Sequence, residues 1–105
     1  MNDEAHLRDP VRVRAWKKQL LGKGSEAAKA LEAVRSGQND IAVEAPLPDG
    51  GDLETRLSRF LAQIHRAIQR VSLDRFGRCA VCRTPIAQPV LDARPWTERC
   101  GAHAA

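Results

Sequence analysis

Phe76 to His103 reads FGRCAVCRTPIAQPVLDARPWTERCGAH, and three cysteines and one histidine fall there as two short pairs, Cys79-x-x-Cys82 and Cys100-x-x-His103. Structural Zn²⁺ takes four sulfur or nitrogen ligands in a tetrahedron, and two residues between paired ligands let a tight turn aim both side chains at one metal. The seventeen residues from Arg83 to Arg99 match the usual separation of two such half-sites. The spacing therefore predicts a small C-terminal finger that holds one zinc ion through Cys79, Cys82, Cys100 and His103. A thioredoxin-like redox pair is the other reading of C-x-x-C, but that motif belongs beside a βαβ unit, which nothing in the chain supplies. His103, two residues from the end of the sequence, has a competing reading as a surface histidine that holds no metal.

Upstream of the cysteines the dominant signal is helical. Asp9-Pro10 reads as a helix start, since the Asp carboxylate can accept an orphan N–H and proline at the first helical position lacks that donor. Val13, Trp16, Leu20, Lys23, Ala27, Ala30 and Val34 then alternate spacings of three and four, one stripe that Leu21, Ala28 and Leu31 broaden. Gly22 and Gly24 interrupt it at about 1 kcal/mol each relative to Ala. The phase of the stripe runs through them, which predicts one weakened helix over about 10–35, ended by Ser36-Gly37. Residues 36–51 carry the turn residues of a loop. Asp52 can cap a second helix over about 52–75, whose stripe Leu53, Leu57, Phe60, Ile64, Ala67 and Val71 is unbroken, with Leu61 and Ile68 beside it.

Two helices of similar length with one apolar face each predict a mostly α fold. The expected form is an antiparallel two-helix coiled-coil hairpin over residues 1–75, with Trp16 in its seam and the finger, 76–105, at its open end. Residues 1–8 are expected to fray. At helical rise the hairpin is roughly 35 to 40 Å long.

Charge is divided along this plan. The chain has 17 Lys and Arg against 13 Asp and Glu, a net +4. Residues 36–54 hold Asp40, Glu44, Asp49, Asp52 and Glu54 with no basic residue, so the rest carries 17 − 8 = +9. An acidic tip and a basic base with Arg66, Arg70 and Arg75 are expected. With 105 residues the chain is one small unit in which a metal would supplement a modest core. No run of about twenty apolar residues and no signal-peptide pattern is present, so a cytoplasmic location without membrane contact is expected, where reduced thiols favour metal over disulfide. No nucleophile and base are arranged together, and His65 reads as a solvated helix residue, so no enzymatic activity is expected.

The finger resembles the DksA/TraR family of bacterial transcription regulators. Their pattern runs FG-x-C-x-x-C-G-x-x-I, then RL-x-A-x-P, then C-x-x-C, and Phe76, Gly77, Cys79, Cys82, Ile86, Leu91, Ala93, Pro95 and Cys100 match it. Arg83 replaces the glycine after the second cysteine, Val90 the arginine before the leucine, and His103 the fourth cysteine. The resemblance covers about a quarter of the chain. It implies a regulator, tied to the stringent response, that acts as a monomer and inserts its hairpin into the secondary channel of bacterial RNA polymerase. It places Asp49-x-x-Asp52 where the family's tip carries Asp-x-x-Asp-x-Ala, with Glu54 at the alanine, although Asp before Gly-Gly is also ordinary turn chemistry and Asp52 an ordinary N-cap. The second helix is about two heptads shorter than in DksA-type members. The resemblance also extends to guanosine tetraphosphate, for which Arg94 matches a contact residue while Gln63 and Ala104 replace two lysines. The other readings are a nucleic-acid-binding zinc protein and a thiol- or zinc-based redox sensor; direct DNA binding is disfavoured, because the finger lacks a clear recognition helix and the chain has little aromatic surface for stacking.

Overall fold

A computed structural model describes residues 5–38, 47–48 and 50–100. Among these, a 3-10 turn at Ala5–Arg8 leads into α1 (Pro10–Arg35), followed by α2 (Leu53–Ser72) and the short α3 (Gln88–Ala93). The molecule is mostly helical, and α1 and α2 pack together over a body of 51 × 28 × 21 Å. No described helix is long and apolar enough to cross a membrane.

The helix ends follow from their residues. Asp9 accepts from the Val11 N–H at 3.0 Å with Pro10 just inside the helix, and Asp52 accepts from the Thr55 N–H at 2.9 Å. Both long helices end in the same pair of backbone bonds, in which the last carbonyls fold back onto the chain that leaves. In α1 these are Gly37 N–H to Val34 O at 3.0 Å and Gln38 N–H to Ala33 O at 3.1 Å, around Gly37 at φ +95°. In α2 they are Asp74 N–H to Val71 O at 3.2 Å and Arg75 N–H to Arg70 O at 2.7 Å, around Asp74 at φ +57°. The second helix therefore stops at Ser72 and not at 75, because an aspartate takes the left-handed position that usually needs glycine.

The buried stripe of α2 is Leu57, Phe60, Ile64 and Ala67, each at 0 % exposure, and burying each of the three larger side chains stabilises the fold by roughly 1.5–3 kcal/mol. On α1 the buried residues are Trp16, Leu20, Gly24, Ala27, Ala30 and Leu31. Two expectations shift here. Leu21 is 53 % exposed and Ala28 is exposed, while Gly24 lies in the seam with Ile64 Cγ2 at 3.4 Å from where a Cβ would stand. Gly22 faces open space, and α1 continues through both glycines unbroken. Val13, Ile68 and Val71 pack at the edge of the cluster that holds Trp16.

Residues 5–8 are docked, contrary to the expected fraying. Leu7 packs on the main core and His6 Nε2 lies 2.7 Å from the Ile86 carbonyl. Gly77 is at φ +86°, a backbone conformation that requires glycine, and an added Cβ would also push the Leu7 side chain aside.

Candidate metal centre

The chain leaving α2 turns tightly at the first cysteine pair. Cys79 N–H donates to Thr84 O at 2.9 Å, Arg83 N–H to Cys79 O at 2.9 Å, and an isolated antiparallel bridge joins Arg78 to Pro85. Arg83 closes this turn at φ +62°, a left-handed conformation that disfavours a side chain. The Ile86 N–H donates to Gly77 O at 2.7 Å, pinning the base of the turn.

The second half of the site arrives from α3. Leu91 is fully buried beneath it, and Pro95 and Trp96 follow, Trp96 standing edge-on to Phe60 at 5.1 Å between ring centres. Ala80 N–H then donates to Glu98 O at 2.7 Å, which ties this strand of chain to the first turn two residues before Cys100. As a result the Sγ atoms of Cys79, Cys82 and Cys100 lie within 4.8 Å of one another, with Cys82 and Cys100 at 3.5 Å.

This spacing fits a metal. Sulfurs in a tetrahedron at about 2.3 Å from zinc lie about 3.8 Å apart, close to what is seen. Burial of Cys79, 1 % exposed, pushes its thiol up, but N–H groups of Cys82, Cys100 and Val81 aim at the sulfur and pull it down to about 5. The thiolate is thus the favoured form, the form that binds a soft cation. Three ligands are in place; His103, expected as the fourth, lies outside the described residues, as do Asp49 and Ala104.

The segment is fastened to the helices by contacts that no motif announced. Trp16 Nε1 donates to Asp92 Oδ1 at 2.8 Å, its ring packs on Phe76 at 5.6 Å, and Gln19 Nε2 donates to Asp92 O at 3.1 Å. Gln63 Nε2 donates to Trp96 O at 3.3 Å. Arg66 Nε and Nη2 donate to the two oxygens of Glu98 at 2.6 and 3.2 Å, and Arg70 Nη1 stands 3.5 Å from the same carboxylate. Burial raises the Glu98 pKa, and the bond and charge of Arg66, with the charge of Arg70, lower it by more, leaving it below the ordinary range. Arg66 and Arg70, expected as part of the basic base, are engaged with Glu98 within the molecule. Only the position of Glu98 beside Cys100 could have hinted at this.

At the other end of α2, Asp52 is exposed and its carboxyl is held low by the Thr55 N–H and hydroxyl. The described part of the tip has basic neighbours. Arg35 Nε pairs with Glu54 Oε1 at 2.9 Å, Arg56 Nε donates to Pro48 O at 3.0 Å, and Arg59 Nη1 donates to Gly50 O at 2.8 Å. Three arginines flank the loop in space although none lies within residues 36–54. Arg94 is exposed at the end of α3, its carbonyl accepting from the Thr97 N–H and hydroxyl.

Comparison with protein families, with curated proteins and with solved structures finds no match to this chain.

Proposed function

We propose that this chain is a zinc-holding regulator of the DksA/TraR type that binds bacterial RNA polymerase at its secondary channel. The observation that carries the reading is the meeting of Cys79, Cys82 and Cys100 at the base of a long helix pair, through the same residues, Phe76 to Cys100, on which the family resemblance rests. The helix pair is read as an antiparallel hairpin. Supporting this, Arg35 at the end of α1 meets Glu54 at the start of α2, while Gly24 and Trp16, earlier in α1, share the core with Ile64 and the residues after it.

In this reading zinc is the metal and the donor set is Cys79, Cys82, Cys100 and His103. The metal adds local folding energy to a segment that also buries Phe76, Ile86, Leu91 and Trp96 in the main core. The hairpin tip, with Asp49 and Asp52, enters the channel and perturbs the active-site region electrostatically. A photo-reactive residue placed at Gln38, exposed where α1 ends, tests this. Crosslinks to channel-lining segments of polymerase support the reading, and crosslinks confined to the outer surface count against it.

A redox role for the same site is favoured by one distance, the 3.5 Å between the Cys82 and Cys100 sulfurs, with Cys82 exposed. Hydrogen peroxide would take two electrons from the two metal-bound thiolates and two protons from solvent, giving one disulfide and two waters and releasing the metal. Reversible metal loss under mild peroxide, with polymerase binding absent, selects this alternative.

A further inference from the structure

A cleft of about 720 Å³ lies between the end of α2 and the first cysteine turn, within the range of small-molecule sites. Arg66, Arg70, Arg75, Arg78 and Arg83 line it, with Asp74 as the only carboxylate among the lining residues. Five guanidinium groups against one carboxylate leave 5 − 1 = +4; Glu98, which reaches Arg66 and Arg70 from outside the lining, and the Cys79 thiolate within it bring this to 4 − 2 = +2. The dipole of the α2 C-terminus, about half a negative charge, opposes an anion here, and the two net positive charges outweigh it.

The local backbone builds this concentration of charge. The left-handed Asp74 ends α2 and turns the chain, so that Arg66, Arg70 and Arg75 line the cleft together with Arg78 and Arg83 of the cysteine turn. The left-handed Arg83 keeps a side chain where the turn geometry favours glycine. Every cationic residue of the lining is arginine and none is lysine. Planar guanidinium forks match the paired oxygens of phosphate, whereas lysine offers a point charge. Arg70 Nη2 is buried with no hydrogen-bond partner among the described residues.

We infer that this cleft binds a small polyanion carrying consecutive phosphate groups. The inference goes beyond the proposed function and does not depend on it, since the lining includes neither Arg94 nor the tip residues. A run of phosphates supplies negative charge to meet the positive excess of the cleft, and its oxygens can take paired donors from both walls at once. The exposed Leu73 at the cleft gives an attached organic group an apolar surface.

The test titrates the metal-loaded chain at low ionic strength with inorganic tripolyphosphate, followed by calorimetry and amide NMR, with metal content measured before and after. Orthophosphate, a short single-stranded DNA and a glutamate-rich peptide are titrated in parallel. Expected is one site per chain, at least roughly tenfold tighter for tripolyphosphate than for orthophosphate, with shifts confined to residues 66–83 and metal retained. Arg75→Ala with Arg83→Ala, both exposed positions, should weaken binding by about tenfold or more while leaving the helix signals unchanged. Absence of saturable binding, unchanged affinity in the double variant, metal loss in place of binding, or tighter binding of the DNA or the peptide would each overturn the assignment.

Discussion

Trp16 Nε1 donates a 2.8 Å hydrogen bond to Asp92 Oδ1, joining the first helix to the segment that positions Cys100. Because the acceptor is a carboxylate, the bond is expected to contribute about 1.5–3 kcal/mol. Trp16→Phe removes the donor, trims the ring that packs on Phe76, and should cost that much or somewhat more in urea unfolding. Asp92→Asn keeps an acceptor and should cost less. A loss in Trp16→Phe with none in Asp92→Ala would mean that ring packing alone, and not the bond, fastens the segment.

The Glu98 clamp makes a second prediction. Glu98→Gln should destabilise the chain by about 1 kcal/mol, kept modest because the Arg66 side chain is 53 % exposed and solvent screens the pair. High salt should shrink the difference between parent and variant. A difference that is insensitive to salt would point to the paired hydrogen bonds from Arg66, and not to the attraction of the charges, as what matters.

Glycines separate backbone cost from packing. Gly22→Ala, with open space around its Cβ, should stabilise by about 1 kcal/mol and raise Tm by roughly 4–8 °C. Gly24→Ala should gain less, since its Cβ meets Ile64 at 3.4 Å. Gly77→Ala should destabilise strongly, and Leu7→Ala should recover only the steric part, as φ +86° remains. Thermal unfolding by circular dichroism orders the three.

Much of this fold was legible because helices write their buried face at a fixed period. Leu57, Phe60, Ile64 and Ala67 stand out in that way, and Asp9, Asp52 and Gly37 mark ends by chemistry that acts within a few residues. Gly24 was missed as a seam residue because glycine has no hydropathy to place it, and Lys23 beside it took its place in the stripe. Asp74 as a helix stop was hidden because aspartate at positive φ is uncommon. Contacts across the chain left no local trace either, as with His6 on Ile86 or Arg35 on Glu54. Of the candidate site, the three cysteines were legible because ligand spacing is a local property.

Asp52 gives the pH dependence. Its carboxyl is held below the ordinary value of 3.8 by bonds to the charged form, so this contribution is present above 3.8 and is lost as pH falls through the lowered folded value. Asp52→Asn caps the helix without titrating, and the stability difference between parent and variant should change only in that acid window. A change near neutral pH would show that Asp52 does something other than cap α2. The same substitution paired with Asp49→Asn should leave polymerase binding intact and abolish the effect on transcription, measured in a purified system; regulation like the parent's would reduce the tip to turn chemistry.

The central claim is tested most directly by competition for purified bacterial RNA polymerase against a labelled factor that occupies the secondary channel. The metal-loaded chain is expected to displace the label with a single saturating curve, and Cys79→Ser with Cys82→Ser, which removes two thiolates, is expected to lose both the metal and the displacement. Failure of the metal-loaded chain to displace the label at any concentration, or displacement that survives complete loss of the metal, would contradict the account.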